Sequence, residues 1–178
     1  FGSDITLYGT VNAGAGNVTL AAGTFASGDI VANTGNRIIG DSLTATASAI
    51  GTDAARLNTT LTSLDAISAS GGVFVTETDA LTLTASAVGA VDVQTTNGAL
   101  SVNSVNGAGV ALTAGGAGNG ITIDGTVDAG ASNVTFEGIR CETRENKIYA
   151  LGRDDGTWAR ARDPKWSRIV YSDTAPHP

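Results

Sequence analysis

The sequence predicts an all-β fold, a right-handed parallel β-helix (solenoid) with a C-terminal β-hairpin cap or appendage. Two observations support this prediction: apolar residues come in pairs two apart at nearly constant spacing, and one segment recurs almost unchanged. The segment GTVNAGAGNVTL at 9–20 returns as GTVDAGASNVTF at 125–136. Such self-similarity is typical of stacked coils, each of which buries its inward face against its neighbours.

Each apolar pair predicts one short strand, because residues two apart lie on the same face of a strand. Glycine-rich clusters at 96–98, 106–109 and 115–120 separate the strands, and glycine tolerates the positive φ of tight corners. Every second pair recurs after about 18 to 24 residues, which predicts the length of one coil. The pairs are Val73/Val75, Leu81/Leu83, Val91/Val93, Leu100/Val102, Val110/Leu112, Ile121/Ile123 and Val134/Phe136.

Stacked coils should align these pairs into interior columns. One predicted column contains Val75, Val93 and Leu112, and another contains Leu83, Val102 and Ile123.

The stretch 55–67 leaves two structures open. Its apolar residues Leu57, Leu61, Leu64 and Ile67 fall at helical spacing. The threonine-rich residues between them disfavour a helix, because β-branched side chains lose rotamer freedom there. A solenoid coil or an irregular connection is therefore favoured over a helix.

The composition argues against several classes of function. A net charge of −7 disfavours nucleic-acid binding, which needs a basic stripe. No run approaches 18 apolar residues, so we predict no membrane span. Cys141 is the single cysteine and His177 the single histidine, which is too few for a zinc site. His177 is also a poor catalytic base, because it lies between two prolines at a terminus. The loop 115–124 lacks the aspartate of calcium-binding nonapeptides. We predict no metal and no cofactor.

The composition changes sharply near residue 138. Of the ten basic residues, two precede residue 140, whereas eleven of the 17 acidic residues do. Both tryptophans and all three prolines follow it. We therefore predict a repeat domain at 1–138 and a separate segment at 139–178.

The C-terminal segment reads as a β-hairpin. Residues 147–152 and 157–162 flank the turn sequence Asp-Asp-Gly at 154–156, and KWSRIVY at 165–171 follows as a third short strand. This hairpin is placed where it would cap the solenoid, with a loose tail as the alternative. Its basic and aromatic residues form a candidate surface for an anionic glycan, with a solvated hairpin as the alternative. These residues are Trp158, Arg160, Arg162, Lys165, Trp166 and Arg168.

Two features of the repeat domain suggest other functions. Glu77 and Asp79, two apart on a predicted strand, would point the same way about 6.5 Å apart, close to the carboxyl separation of glycosidases. Pairs of threonines at 44/46 and 82/84 resemble water-ordering rows of ice-binding surfaces, but they do not recur at a fixed offset. Threonine is also simply a good strand residue.

The repeat domain resembles a known family over about residues 4–137. The residues IGT at 50–52, LNT at 57–59, GGVFV at 71–75 and LTL at 81–83 are similar to the repeats of filamentous-haemagglutinin-like adhesins and autotransporter passengers. Arg56 stands where that family has proline. The resemblance implies a solenoid that is secreted to the bacterial outer surface and holds no cofactor.

The C-terminal segment resembles a second family over about residues 133–169. The run from Cys141 through Arg144, followed by Tyr149 and a Gly-x-Trp hairpin, is similar to small secreted proteobacterial proteins of the cryptic neisserial type. No activity is assigned to that family. It usually has a second cysteine near its end, which this chain lacks.

These observations predict a non-catalytic structural or adhesive module, the shaft or binding surface of a large secreted adhesin. The expected partner is a glycan or protein on a host or neighbouring cell, and self-association through the solenoid ends is possible. The alternative is a polysaccharide-active β-helix enzyme that uses Glu77 and Asp79.

Overall fold

A computed structural model of the chain describes residues 2–23, 27–130, 135–152, 158–161 and 164–169. The chain forms two compact units, Phe1–Gly130 and Ala131–Pro178. All regular elements within the described residues are β-strands, which confirms the all-β prediction. The change of composition near residue 138 thus lies inside the second unit, eight residues after the structural division.

The first unit is a β-solenoid made of parallel strands. The strands are β1 (Ile5–Leu7), β2 (Thr10–Asn12), β3 (Asn17–Ala21), β4 (Ile30–Ala32), β5 (Arg37–Ile39), β6 (Ser42–Ala47), β7 (Leu57–Thr60), β8 (Ser63–Ser68), β9 (Val73–Glu77), β10 (Leu81–Ala87), β11 (Ala90–Thr95), β12 (Leu100–Asn106), β13 (Gly109–Ala114) and β14 (Ile121–Asp128). One six-stranded sheet, here called the first sheet, has the order β13-β11-β9-β7-β5-β2. The other six-stranded sheet, the second sheet, has the order β14-β12-β10-β8-β6-β3, and β1 pairs with β4 in a separate two-stranded sheet.

Equivalent positions on successive coils pair in register. Along the second sheet, paired residues are 25, 21, 19, 19 and 21 positions apart, counted through Val18, Leu43, Leu64, Leu83, Val102 and Ile123. The predicted coil length of about 18 to 24 residues is therefore confirmed for every step except the first, which is one residue longer. The corners between strands absorb the differences in length.

Both predicted interior columns are present. Val93 pairs with Val75 and Leu112, and Val102 pairs with Leu83 and Ile123. In the middle coils these side chains are fully buried, which contributes about 1.5–3 kcal/mol each. Leu112 is half-buried and Ile123 is exposed, because both lie on the last coil of the unit and have a neighbouring coil on one side.

The stretch 55–67 is a coil of the solenoid, and the helical alternative is wrong. Leu57 and Leu64 face the core from β7 and β8, and Leu61 is buried at the corner between them. Ile67, the fourth member of the helical pattern, is 47% exposed. The spacing looks helical because the corner at Leu61 shifts the alternation of inward and outward side chains between β7 and β8.

The recurring segment does not occupy equivalent positions. Its first copy forms β2, a corner and β3, whereas residues Gly125 to Asp128 of the second copy end β14 in the second sheet. The predicted last pair, Val134/Phe136, is not a solenoid pair. Val134 lies outside the described residues, and Phe136 belongs to an antiparallel strand of the second unit. The motif therefore does not mark one fixed place in a coil.

Arg56 joins three coils at the outer side of the first sheet. Its Nε donates to Thr76 Oγ1 at 3.0 Å, and a terminal nitrogen donates to the Val75 carbonyl at 3.0 Å. The same nitrogen donates to the Asp92 carbonyl at 2.7 Å and carboxylate at 2.8 Å. The Arg56 side chain is 14% exposed, so solvent screens this ion pair weakly. An arginine at this position thus links coils that a proline could not link.

The second unit is a small antiparallel sheet. Its strands are β15 (Thr135–Arg140), β16 (Glu145–Gly152), β17 (Trp158–Arg160) and β18 (Ser167–Arg168). β16 pairs with β15, β17 and β18, which confirms the predicted hairpin and the third short strand. The predicted turn at 154–156 lies outside the described residues. Capping of the solenoid by this unit stays a prediction.

Candidate functional site

The two carboxylates of the hydrolase hypothesis do not share a face. Glu77 is the last residue of β9 and points inward with no solvent exposure, in line with Val73 and Val75. Asp79 follows the end of the strand and is exposed. The strand ends before Asp79 because the chain turns a corner there. The expected side-by-side geometry is therefore wrong.

The Glu77 carboxylate is held by donors on two coils. Oε2 accepts hydrogen bonds from Thr59 Oγ1 at 2.7 Å and from the Leu61 N–H at 3.1 Å. Oε1 accepts from the N–H groups of Thr78 at 2.7 Å and Asp79 at 3.3 Å. Burial raises the pKa of Glu77 above its ordinary value, although these hydrogen bonds oppose the rise. These hydrogen bonds satisfy backbone N–H groups at the corner and join two neighbouring coils.

We expect the contribution of Glu77 to stability to decrease as pH rises. The folded-state pKa lies above the ordinary 4.5, so the folded chain binds more protons than the unfolded chain between these values. This pH-dependent part of the contribution is complete below the ordinary value and is lost as pH rises through the folded-state pKa, whereas the part that comes from the hydrogen bonds to the carboxyl group remains. Urea unfolding from about pH 4 to 8 should show that the stability difference between wild type and Glu77→Gln shrinks with rising pH. A difference that grows with pH would contradict this assignment.

The outer side of the second sheet carries two rows of polar side chains, here called the polar ladders. Serine and threonine fill ten of the twelve positions, and all twelve side chains are exposed or half-buried. Register places one row at Asn17, Ser42, Ser63, Thr82, Ser101 and Thr122, and the other at Thr19, Thr44, Asp65, Thr84, Ser104 and Thr126.

The polar ladders form a regular lattice on β3, β6, β8 and β10. There, neighbouring strands lie about 4.8 Å apart, and the two ladder members of one strand lie about 6.6–6.8 Å apart. On β12 and β14 the register shifts, and the ladder members are three and four residues apart. Asp65 is the single charged member of the two rows. Buried Leu43, Leu64 and Leu83 lie between the rows on the inner side of the same strands, which holds the lattice flat against the core.

An arginine–aromatic cluster lies on one face of the second unit. Tyr149 and Trp166 meet edge to face, with ring centroids 6.5 Å apart at 89°. The Arg140 guanidinium lies 3.9 Å from the Trp166 centroid, and the Lys147 ammonium lies 4.9 Å from the Tyr149 centroid. Gly138 underlies both rings, because a Cβ there would lie 2.9 Å from Tyr149 Cε2 and 3.3 Å from Trp166 Cη2. These five residues define the arginine–aromatic cluster.

The structure separates the residues that the sequence grouped as a glycan surface. Arg160 pairs with Ala150 and Arg168 pairs with Glu145, so the two arginines lie toward opposite ends of β16. Lys165 and Trp166 precede β18, and Trp158 begins β17 opposite Gly152. Arg162 lies outside the described residues.

Sequence reasoning missed Arg140, Lys147 and Tyr149 as members of the cluster. Lys147 and Tyr149 are two apart on one strand, which signals a shared face. The place of Arg140 beside Trp166 depends on the pairing of β15 with β16, which the sequence did not suggest.

Metal and membrane sites are not found among the described residues. Within that part of the chain, no three His, Cys, Asp or Glu side chains come together in a group that could hold a metal ion. The same residues contain no helix with the length and hydropathy of a membrane span. Cys141 is a free, exposed thiol.

Comparison with known proteins gives one match. A family model described as the CNP1-like family matches residues 121–177. The match includes the 133–169 stretch that resembles the cryptic neisserial type, and it begins earlier, at the start of β14. Comparison with curated proteins finds no match, and neither does comparison with solved structures.

Proposed function

We propose that this chain is a non-catalytic structural and adhesive module of a secreted bacterial surface protein. The solenoid serves as a shaft, and the polar ladders serve as its binding surface. The observation that carries the proposal is the repetition of one polar chemistry on successive coils. A repeating surface fits a repeating ligand, and weak contacts on successive coils combine through multivalency.

Two further features support a location at the bacterial outer surface. The elements at 50–52, 57–59, 71–75 and 81–83 resemble repeats of filamentous-haemagglutinin-like adhesins, which are secreted proteins. Charged residues form 15% of the chain, and hydroxyl side chains supply the polarity of its solvent-facing strands instead. The partner is a glycan or a protein on a host or neighbouring cell.

Two lysines placed in one polar ladder should weaken adhesion. We expect Thr44→Lys combined with Thr84→Lys to reduce adhesion about tenfold, because long charged side chains hold a flat ligand away and must be desolvated on contact. The chain is coupled to microspheres, which are counted after washing on surfaces coated with chitin, dextran or mucin. Both threonines point outward, so circular dichroism and thermal unfolding should remain close to wild type.

The matched control adds the same charge to the other sheet. Ala90 and Thr113 point outward from β11 and β13 and are exposed, so Ala90→Lys with Thr113→Lys should adhere like wild type. Equal losses in the two double variants would indicate a general charge effect and reject the polar ladders as the contact. Unchanged adhesion of the Thr44/Thr84 variant would also reject them.

A further inference from the structure

Arg140 presents hydrogen-bond donors that the described residues do not use. Its guanidinium is exposed and stacks on Trp166, and within the described residues it forms no ion pair and no side-chain hydrogen bond. Stacking uses the face of a guanidinium, whereas its N–H groups lie in the plane and point away from the edge. The ring therefore orients a donor fork toward solvent, and less side-chain entropy remains to be lost on binding.

The charges around this fork favour an anion. Arg140 and Arg168 are both paired with Glu145 across the sheet, and Lys147 lies two residues further on β16. Directly paired residues share a face, so these three cations and one carboxylate lie on one face at the same end of the described sheet. The first unit, in contrast, contains two basic and ten acidic residues. A polyanion is therefore repelled by the solenoid and attracted to this sheet.

We propose that the arginine–aromatic cluster binds a carboxylate-bearing polysaccharide, a polyuronate. A planar carboxylate accepts two parallel N–H bonds from one guanidinium, which fits the fork of Arg140. Tyr149, 39% exposed beside it, adds aromatic surface against which a sugar ring can pack. The cluster belongs to the second unit and shares no residue with the polar ladders, so this proposal does not rest on the adhesive surface proposed above.

Calorimetric titration of the full chain with polygalacturonate oligomers tests the proposal. Arg140→Lys keeps the charge but loses the planar fork, and we expect it to weaken binding about tenfold. Arg160→Lys is the matched control, because Arg160 is exposed on β17 and, within the described residues, stacks on no aromatic ring. Its affinity should equal that of wild type. Trp166→Leu should weaken binding as well, since it removes the ring that orients Arg140.

Other polymers separate specific recognition from attraction by charge. Neutral dextran should not bind, and dextran sulfate should bind more weakly and respond little to Arg140→Lys. Equal binding of dextran sulfate, or equal losses in Arg140→Lys and Arg160→Lys, would overturn the proposal in favour of charge alone. Tighter binding of polyglutamate would indicate an acidic protein instead. Circular dichroism and amide NMR spectra confirm that each variant folds.

Discussion

Replacing Glu77 with alanine should lower the free energy of unfolding by about 3–5 kcal/mol at neutral pH. Glu77 has no solvent exposure, and its carboxylate accepts hydrogen bonds from the side chain of Thr59 and the backbone of Leu61, Thr78 and Asp79. Alanine leaves the Thr59 hydroxyl and the Leu61 N–H, which are both buried, without the carboxylate acceptor, and each such donor costs about 1–3 kcal/mol. Urea unfolding followed by circular dichroism measures the loss.

The same corner provides the control. Asp79 is exposed, so Asp79→Ala should change stability by no more than about 0.5 kcal/mol. Glu77→Gln retains one oxygen acceptor but turns an amide donor toward backbone N–H groups. Its loss of unfolding free energy should therefore fall between those of Asp79→Ala and Glu77→Ala. A loss below about 1 kcal/mol in Glu77→Ala would mean that water replaces the carboxylate at the corner.

The inward position of Glu77 was readable from the sequence. Val73 and Val75 were assigned to the core by their spacing of two, and Glu77 continues the same parity on the same strand. The hydrolase hypothesis instead places Glu77 beside Asp79 on an accessible face, because acidic side chains are seldom buried unless paired. Thr59 in β7 and Thr95 in β11 likewise continue the alternation of inward-facing apolar residues, and both are buried. The alternation along the strand therefore predicts the inward position of Glu77 better than the polarity of its side chain does.

The polar ladders and the Arg56 contacts were not readable in this way. Thr44 and Thr84 are two coils apart, and the corners between them have different lengths, so no fixed sequence offset connects them. Arg56 and Asp92 are 36 residues apart and meet because the coil between them keeps register with both of its neighbours. Hydrogen bonding between strands fixes that register, whereas loop length does not. Periodicity thus predicts strands and core, and contacts between coils require the folded chain.

Shortening Leu83 should produce a similarly large loss, about 2–5 kcal/mol for Leu83→Ala. Leu83 is fully buried in β10 and stacks on Leu64 in one neighbouring coil and Val102 in the other. In a solenoid, each coil is stabilised by its contacts with its neighbours. A cavity at Leu83 therefore weakens two interfaces at once. Urea unfolding of the full chain, monitored by far-ultraviolet circular dichroism, provides the measurement.

Ile123 supplies the comparison within the same column. It is paired with Val102 as Leu83 is, but it lies on the last coil and is 56% exposed, so Ile123→Ala should cost at most about 1 kcal/mol. Hydrogen exchange should add a spatial distinction, because Leu83→Ala should speed exchange in β8, β10 and β12, and Ile123→Ala in β14 alone. Equal losses from the two substitutions would mean that Ile123 is covered in solution as fully as Leu83. The stability of this solenoid would then depend as much on its last coil as on its middle.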